Sequence, residues 1–146
     1  MDWLAILAMV MLSHTVSVPA QDRWPAVLEG LDAIRSQAFE EGRSDDLAFV
    51  YPEGSLLLQR DKALLASYVR RGVDIERMRM RLIDSHVTSV SSRRVTMSVT
   101  DQLVEARIGL SDGTVRDLPR DQPTRRTIEL TLTGQGWRIS AVSLRR

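Results

Sequence analysis

The sequence predicts an α+β domain, with N-terminal helices packed on one face of a curved antiparallel sheet of four to six strands. Three observations predict it. Apolar residues recur at helical spacing as far as Gly72. From Ile75 onward the period switches to two. Gly-containing turns then punctuate the rest of the chain.

Helix one carries Trp24, Val27, Leu28, Leu31, Ile34 and Ala38 on one stripe, with Glu29, Asp32, Arg35 and Glu40 expected outward. Pro25 suits its first turn and Gly42 its stop. Ser44 is expected to cap a short second helix that includes Asp45 and Asp46. "YPEGS" (51–55) reads as a turn, "LLLQRDKALLASYVRRG" (56–72) as a third helix ended by Gly72. In the first strand Met78, Met80 and Leu82 share one face, and Arg77, Arg79 and Arg81 the other. "SHVTSVSSRR" (85–94) has the Ser and Thr content of a connection. Val95, Met97 and Val99 then point inward, as do Ile128, Leu130 and Leu132, and finally Trp137, Ile139 and Ala141. "SDGT" (111–114) and "TGQG" (133–136) are the turns between strands. Sheet and helix one would together form a cone with an apolar mouth.

At 146 residues the chain suits a single domain, residues 21–146, behind a targeting segment. "WLAILAMVML" (3–12) is apolar and has the length of a signal-peptide core. Val18 and Ala20 suit cleavage after Ala20. No Lys or Arg precedes the run, so it also reads as part of a membrane anchor. These two readings put the domain outside the cytoplasm, exported, and extracellular or anchored in the cell envelope; a third reads the run as a soluble amphipathic helix packed on the domain. There is no Cys, hence no disulfide and no thiolate metal site. The net charge of +1 is too even for a nucleic-acid binder. His14 and His86 are the only histidines and no cluster has metal-ligand spacing, so neither a metal nor a cofactor is expected.

The order helix, short helix, helix, long antiparallel sheet resembles the nuclear transport factor 2-like (cystatin-like) superfamily. "LTGQGWRISAV" (132–142) resembles the closing hairpin of many of its bacterial members. "VYPEGSLLLQRDKALLASYVRRGV" (50–73) resembles small uncharacterised envelope proteins of GC-rich Gram-positive bacteria, in which a Y-x-x-G-S turn precedes an Asp-containing helix. The superfamily includes polyketide-cyclase-like and ketosteroid-isomerase-like enzymes, secretion-system scaffold domains and non-catalytic modules, so the fold it implies leaves function open.

Three constellations are candidates for chemistry or binding. Asp84 and His86, on an unbroken strand, would face the cone beside Leu82 and serve proton abstraction next to a carbonyl. A bulge or turn near 83–89 would instead turn both to the surface. Asp101 continues an inward pattern and would reach Tyr51 or Tyr68, a carboxylate–tyrosine arrangement suited to acid–base work. The arginines 77, 79 and 81 form the largest charge feature, which would dock an acidic partner or lipid, or be a solvated sheet face paired with neighbouring acids. Trp24 and Tyr68 complete the candidate binding residues. The expected function is a non-catalytic interaction or ligand-binding module of the cell envelope. Its partner would be an envelope protein or a small apolar ligand, with membrane association and a homodimer through the sheet face as further expectations. The alternatives are a small enzyme acting on an apolar carbonyl compound and an assembly component of a secretion apparatus.

Overall fold

The structure, a computed structural model, describes residues 23–145. The apolar run 3–12 and the cleavage site expected after Ala20 lie outside the described residues. The first helix, α1, is Arg23–Glu41; a 3-10 helix, Ser44–Phe49, follows, and then α2, Leu56–Arg70. Five strands complete the chain: β1 (Asp74–Val90), β2 (Arg94–Gly109), β3 (Val115–Asp117), β4 (Thr124–Thr133) and β5 (Gly136–Leu144). They form one antiparallel sheet in the order β1-β2-β4-β5, with β3 paired to the far end of β2. The α+β class and the strand count expected from sequence are both present.

Both long helices end as their glycines dictate. Gly42 (φ 66°) and Gly72 (φ 65°) sit in the left-handed region, and the residue after each donates back into the helix, Arg43 to Ala38 at 2.9 Å and Val73 to Tyr68 at 2.9 Å. A Cβ on Gly72 would also lie 2.9 Å from the Ser111 Cβ. Gly72→Ala is therefore expected to cost about 1–2 kcal/mol in urea unfolding, whereas Gly30→Ala, in the exposed interior of α1 where nothing lies within 4 Å, should gain about 0.5–1 kcal/mol. Ser55 caps α2 by accepting from the Leu58 N–H at 3.2 Å. Ser44 does not cap the 3-10 helix. Arg43 holds that position, with no side-chain bond.

The core lies between α1, the 3-10 helix and the concave face of the sheet. Trp24, Leu28 and Leu31 of α1 meet Val95, Met97 and Val99 of β2, Ile128 and Leu130 of β4 and Ile139 of β5. Each such side chain contributes roughly 1.5–3 kcal/mol when fully buried. Ile34, expected on the buried stripe, is exposed, and Arg35 takes its place. The arc 24, 28, 31, 35, 38 is a continuous helical face, and Arg35 lies on it because a carboxylate partner awaits it inside.

Bulges set which strand residues face inward. Glu76, Ile83 and Thr88 are each an extra residue on β1 relative to β2, and Val104 is one on β2. A one-residue insertion moves every later side chain to the opposite face. The half-buried positions of β1 accordingly run Ile75, then Met78, Met80 and Leu82, then Ser85 and Val87. The strand does not end at Asp84–His86: it runs to Val90, and the connection expected across 85–94 shrinks to 91–93. A fifth bulge, at Ser140, aligns Ala141 with Glu129 and turns it to the exposed face, although alternation from Trp137 and Ile139 predicted it inward.

Candidate functional site

Strand β1 is the sheet edge, and α1 lies along it. The Met78 N–H on this edge donates to Glu40 Oε1 at 2.8 Å, which fixes the end of α1 against the strand. Between the two elements runs an open groove of about 840 Å³. The helix side presents Glu29, Asp32, Ser36, Gln37, Glu40 and Glu41. The sheet side presents Met78, Met80, Leu82 and Val104, and the arginines 79 and 81. Both faces of β1 border the groove because no further strand covers its edge. An apolar floor between an acidic and a basic wall can hold an amphipathic molecule or an extended chain.

Asp32, expected on the outer face of α1, is the residue this site adds. It lies half-buried in the groove wall and forms no ion pair among the described residues. Its pKa is pushed up from 3.8 to about 6, first by burial and next by the Asp101 carboxylate, against the opposing pull of Arg35 and Arg126. An acid whose folded pKa exceeds its unfolded one binds extra protons in the native state. Stability from this group therefore falls as pH rises from about 4 to about 6. Asp32→Asn is expected to raise stability near pH 7 by about 1–2 kcal/mol and to flatten that slope, measured by urea unfolding across pH.

Asp101 keeps the phase of Val95, Met97 and Val99 and is buried at 6% exposure. Its partner is not a tyrosine: Arg126 of β4 donates from Nε to its Oδ1 at 2.9 Å. Burial nonetheless holds the Asp101 carboxyl above its ordinary value, with Arg126 opposing. The mouth expected to be apolar thus contains an ion pair with Asp32 beside it.

Tyr51 is spent elsewhere. Its hydroxyl donates to Asp61 Oδ2 at 2.6 Å and accepts from Arg35 Nε at 3.1 Å. Arg35 binds Asp61 with two donors, Nε at 2.6 Å and Nη2 at 3.1 Å, and its guanidinium sits 4.8 Å from the Phe39 ring centre. This triad ties α1, the segment after the 3-10 helix and α2 together through charge-assisted bonds. Burial and the bond to Asp61 hold the Tyr51 phenol well above its usual range, so it remains a fixed donor rather than an acid.

The other candidates disperse. Asp84 and His86 are exposed and pair with each other at 3.3 Å, because the bulge at Ile83 takes them off the face of Leu82. Trp24 is core, its ring 4.7 Å from that of Trp137 and edge-on to it. Tyr68 packs edge-on to Phe39 with Arg71 over its ring. Arg77 and Arg79 both reach Glu105, at 3.3 and 3.8 Å; Arg79 and Arg81 border the groove. Among the described residues no buried side-chain nitrogen or oxygen lacks a hydrogen-bond partner, and no group of three metal-ligating side chains converges.

No family model matches the chain, and neither does any curated protein. Solved structures do. The intermembrane space region of the chloroplast protein ARC6 is 17% identical, with a TM-score of 0.58 over 87% of this chain and 98% of that one. Aln2 from a Streptomyces species is 14% identical, with a TM-score of 0.55 over 88% and 93%. A protein from Streptomyces avermitilis, described as a candidate dehydratase of the NTF2-like family, is 16% identical with a TM-score of 0.53 over 84% and 95%. The chain has the NTF2-like fold. At these identities the likeness is one of fold, and the chemistry of the chain rests on its own residues. No described helix is long and apolar enough to cross a membrane.

Proposed function

We propose that the chain is a non-catalytic ligand-binding module of the cell envelope, exported or membrane-held through its N-terminal segment. One observation carries the binding reading. The groove along α1 is open and roomy, about 840 Å³, while the interior polar groups behind it are engaged with one another. Asp61 is saturated by Arg35 and Tyr51, and Asp101 is held by Arg126, so neither is free to move a substrate proton. The ligand would be an amphipathic molecule whose apolar part rests on Met78, Met80 and Leu82. The apolar run 3–12 and the likeness of 50–73 to envelope proteins support the location. So does the occurrence of this fold in an intermembrane space region.

Anilinonaphthalene sulfonate, an apolar anion, tests the groove. Its rings fit the methionine floor and its sulfonate the arginines 79 and 81. Saturable fluorescence enhancement that weakens tenfold or more in Met80→Arg, and is unchanged in Asp84→Asn, is expected. Equal enhancement in Met80→Arg overturns the assignment of the groove.

A second reading, an enzyme acting on an apolar carbonyl compound, draws on Asp32 alone. A groove carboxyl with a pKa of about 6 is poised to exchange a proton near neutral pH. On that reading Asp32→Asn abolishes turnover of the bound compound. On the reading preferred here it leaves the compound bound and chemically unchanged.

A further inference from the structure

We infer that the end of the sheet bearing the Ser91–Arg94 turn docks on an anionic lipid surface; the inference rests on the membrane-held reading above. Several features meet at this end. The β1–β2 turn carries Arg93 and Arg94 with no acid, and Val90 beside it is 58% exposed. The β4–β5 turn lies alongside, since the Leu132 N–H donates to the Arg93 carbonyl at 2.8 Å. Trp137 follows that turn, and its edge-on contact with Trp24 brings the start of α1 to the same place. Arg23, exposed, stacks over the Trp24 ring at 4.7 Å.

The path of the chain gives the reason for choosing a membrane as the occupant. The described chain enters α1 at Arg23, at this end of the sheet. The apolar run 3–12 precedes it by ten residues, which span at most about 35 Å. A bilayer holding that run would therefore face this end rather than the other. The opposite turn, 110–114, carries Asp112 and no base of its own, its nearest arginines being Arg71 and Arg116 on the elements beside it. Arginines beside an exposed apolar side chain, Val90, suit an anionic headgroup layer, while the buried Trp24 ring only holds Arg23 in place at this end. Acids toward this end include Asp22 in sequence, Glu53 in the turn that follows Val50, whose carbonyl accepts from the Ile139 N–H, and Glu129, which is paired with Arg94 at 3.3 Å. Arg93 is thus the arginine on which the inference leans most.

The chain has no Cys, so a single introduced thiol can be labelled uniquely. The full chain would be labelled with an environment-sensitive fluorophore at Ser92→Cys, or at Arg116→Cys on β3 at the far end. Each would be mixed with phosphatidylcholine vesicles that contain, or lack, about a third phosphatidylglycerol. The Ser92 label should report the headgroup layer in the anionic vesicles and water in the neutral ones, while the Arg116 label reports water in both. Arg93→Gln should lower the docked-to-free ratio about fivefold. A chain that floats with vesicles while its Ser92 label stays in water, or reads the same in both vesicle types, overturns this inference alone. A chain that floats with neither overturns the membrane-held reading as well.

Discussion

Asp61→Ala should lose about 3–5 kcal/mol of stability in urea or thermal unfolding, the largest effect expected of any polar substitution here. The side chains of Asp61 and Arg35 are 12% and 23% exposed. Removing the carboxylate leaves a guanidinium that has given up most of its water with no counter-charge, held only by the Tyr51 hydroxyl and the Phe39 ring. It also takes away the acceptor of the Tyr51 hydroxyl proton, which lies 2.6 Å from Asp61. Asp61→Asn keeps an acceptor and should lose less. A paired replacement, Arg35→Met with Asp61→Leu, should recover much of the loss, because both charges then leave the interior together. If Asp61→Ala unfolded within about 1 kcal/mol of the natural chain, the triad would not be what joins α1 to α2.

The second large effect concerns Arg126. Asp101 is 8% exposed at its side chain and has Arg126 as its ion-pair partner, with Asp32 nearby raising the local negative charge. Arg126→Ala should cost about 3 kcal/mol near pH 7. The sign with pH follows from the two acids. Both have folded pKa values above their ordinary ones, and losing Arg126 removes a lowering influence on each. The variant should therefore regain stability as pH falls from about 7 to about 4.5, where the natural chain changes less. Urea unfolding at the two pH values measures it, and a loss that is equal at both would show that Arg126 acts through packing alone.

The two substitutions also mark where sequence stopped being informative. The helix–helix–sheet order was legible because Trp24, Leu28 and Leu31 keep period 3.6 while Val95, Met97 and Val99 keep period two. Arg35 was misplaced because it breaks the apolar rule at a position that the helical arc covers. Its warrant, Asp61, lies 26 residues away on another helix. Asp101 was legible as inward from parity with Val99, but its partner lies on β4, across a register that no local signal fixes. The fate of Asp84 and His86 hung on a single inserted residue, Ile83, and the composition of 83–89 carries no mark of a bulge. Asp32 could have been found by placing it one turn from Leu28 and Arg35 on the arc's flank. Reading it as outward followed from its charge alone.

The central claim is that the groove along α1 holds a ligand without transforming it. Native mass spectrometry of the full chain, released from the producing cell's membranes in mild detergent, tests it most directly. The claim predicts a retained small molecule that persists unchanged on incubation, stays bound in Asp32→Asn and is lost in Met80→Arg. A bare chain, or a retained molecule whose mass changes with time in the natural chain and not in Asp32→Asn, would contradict it.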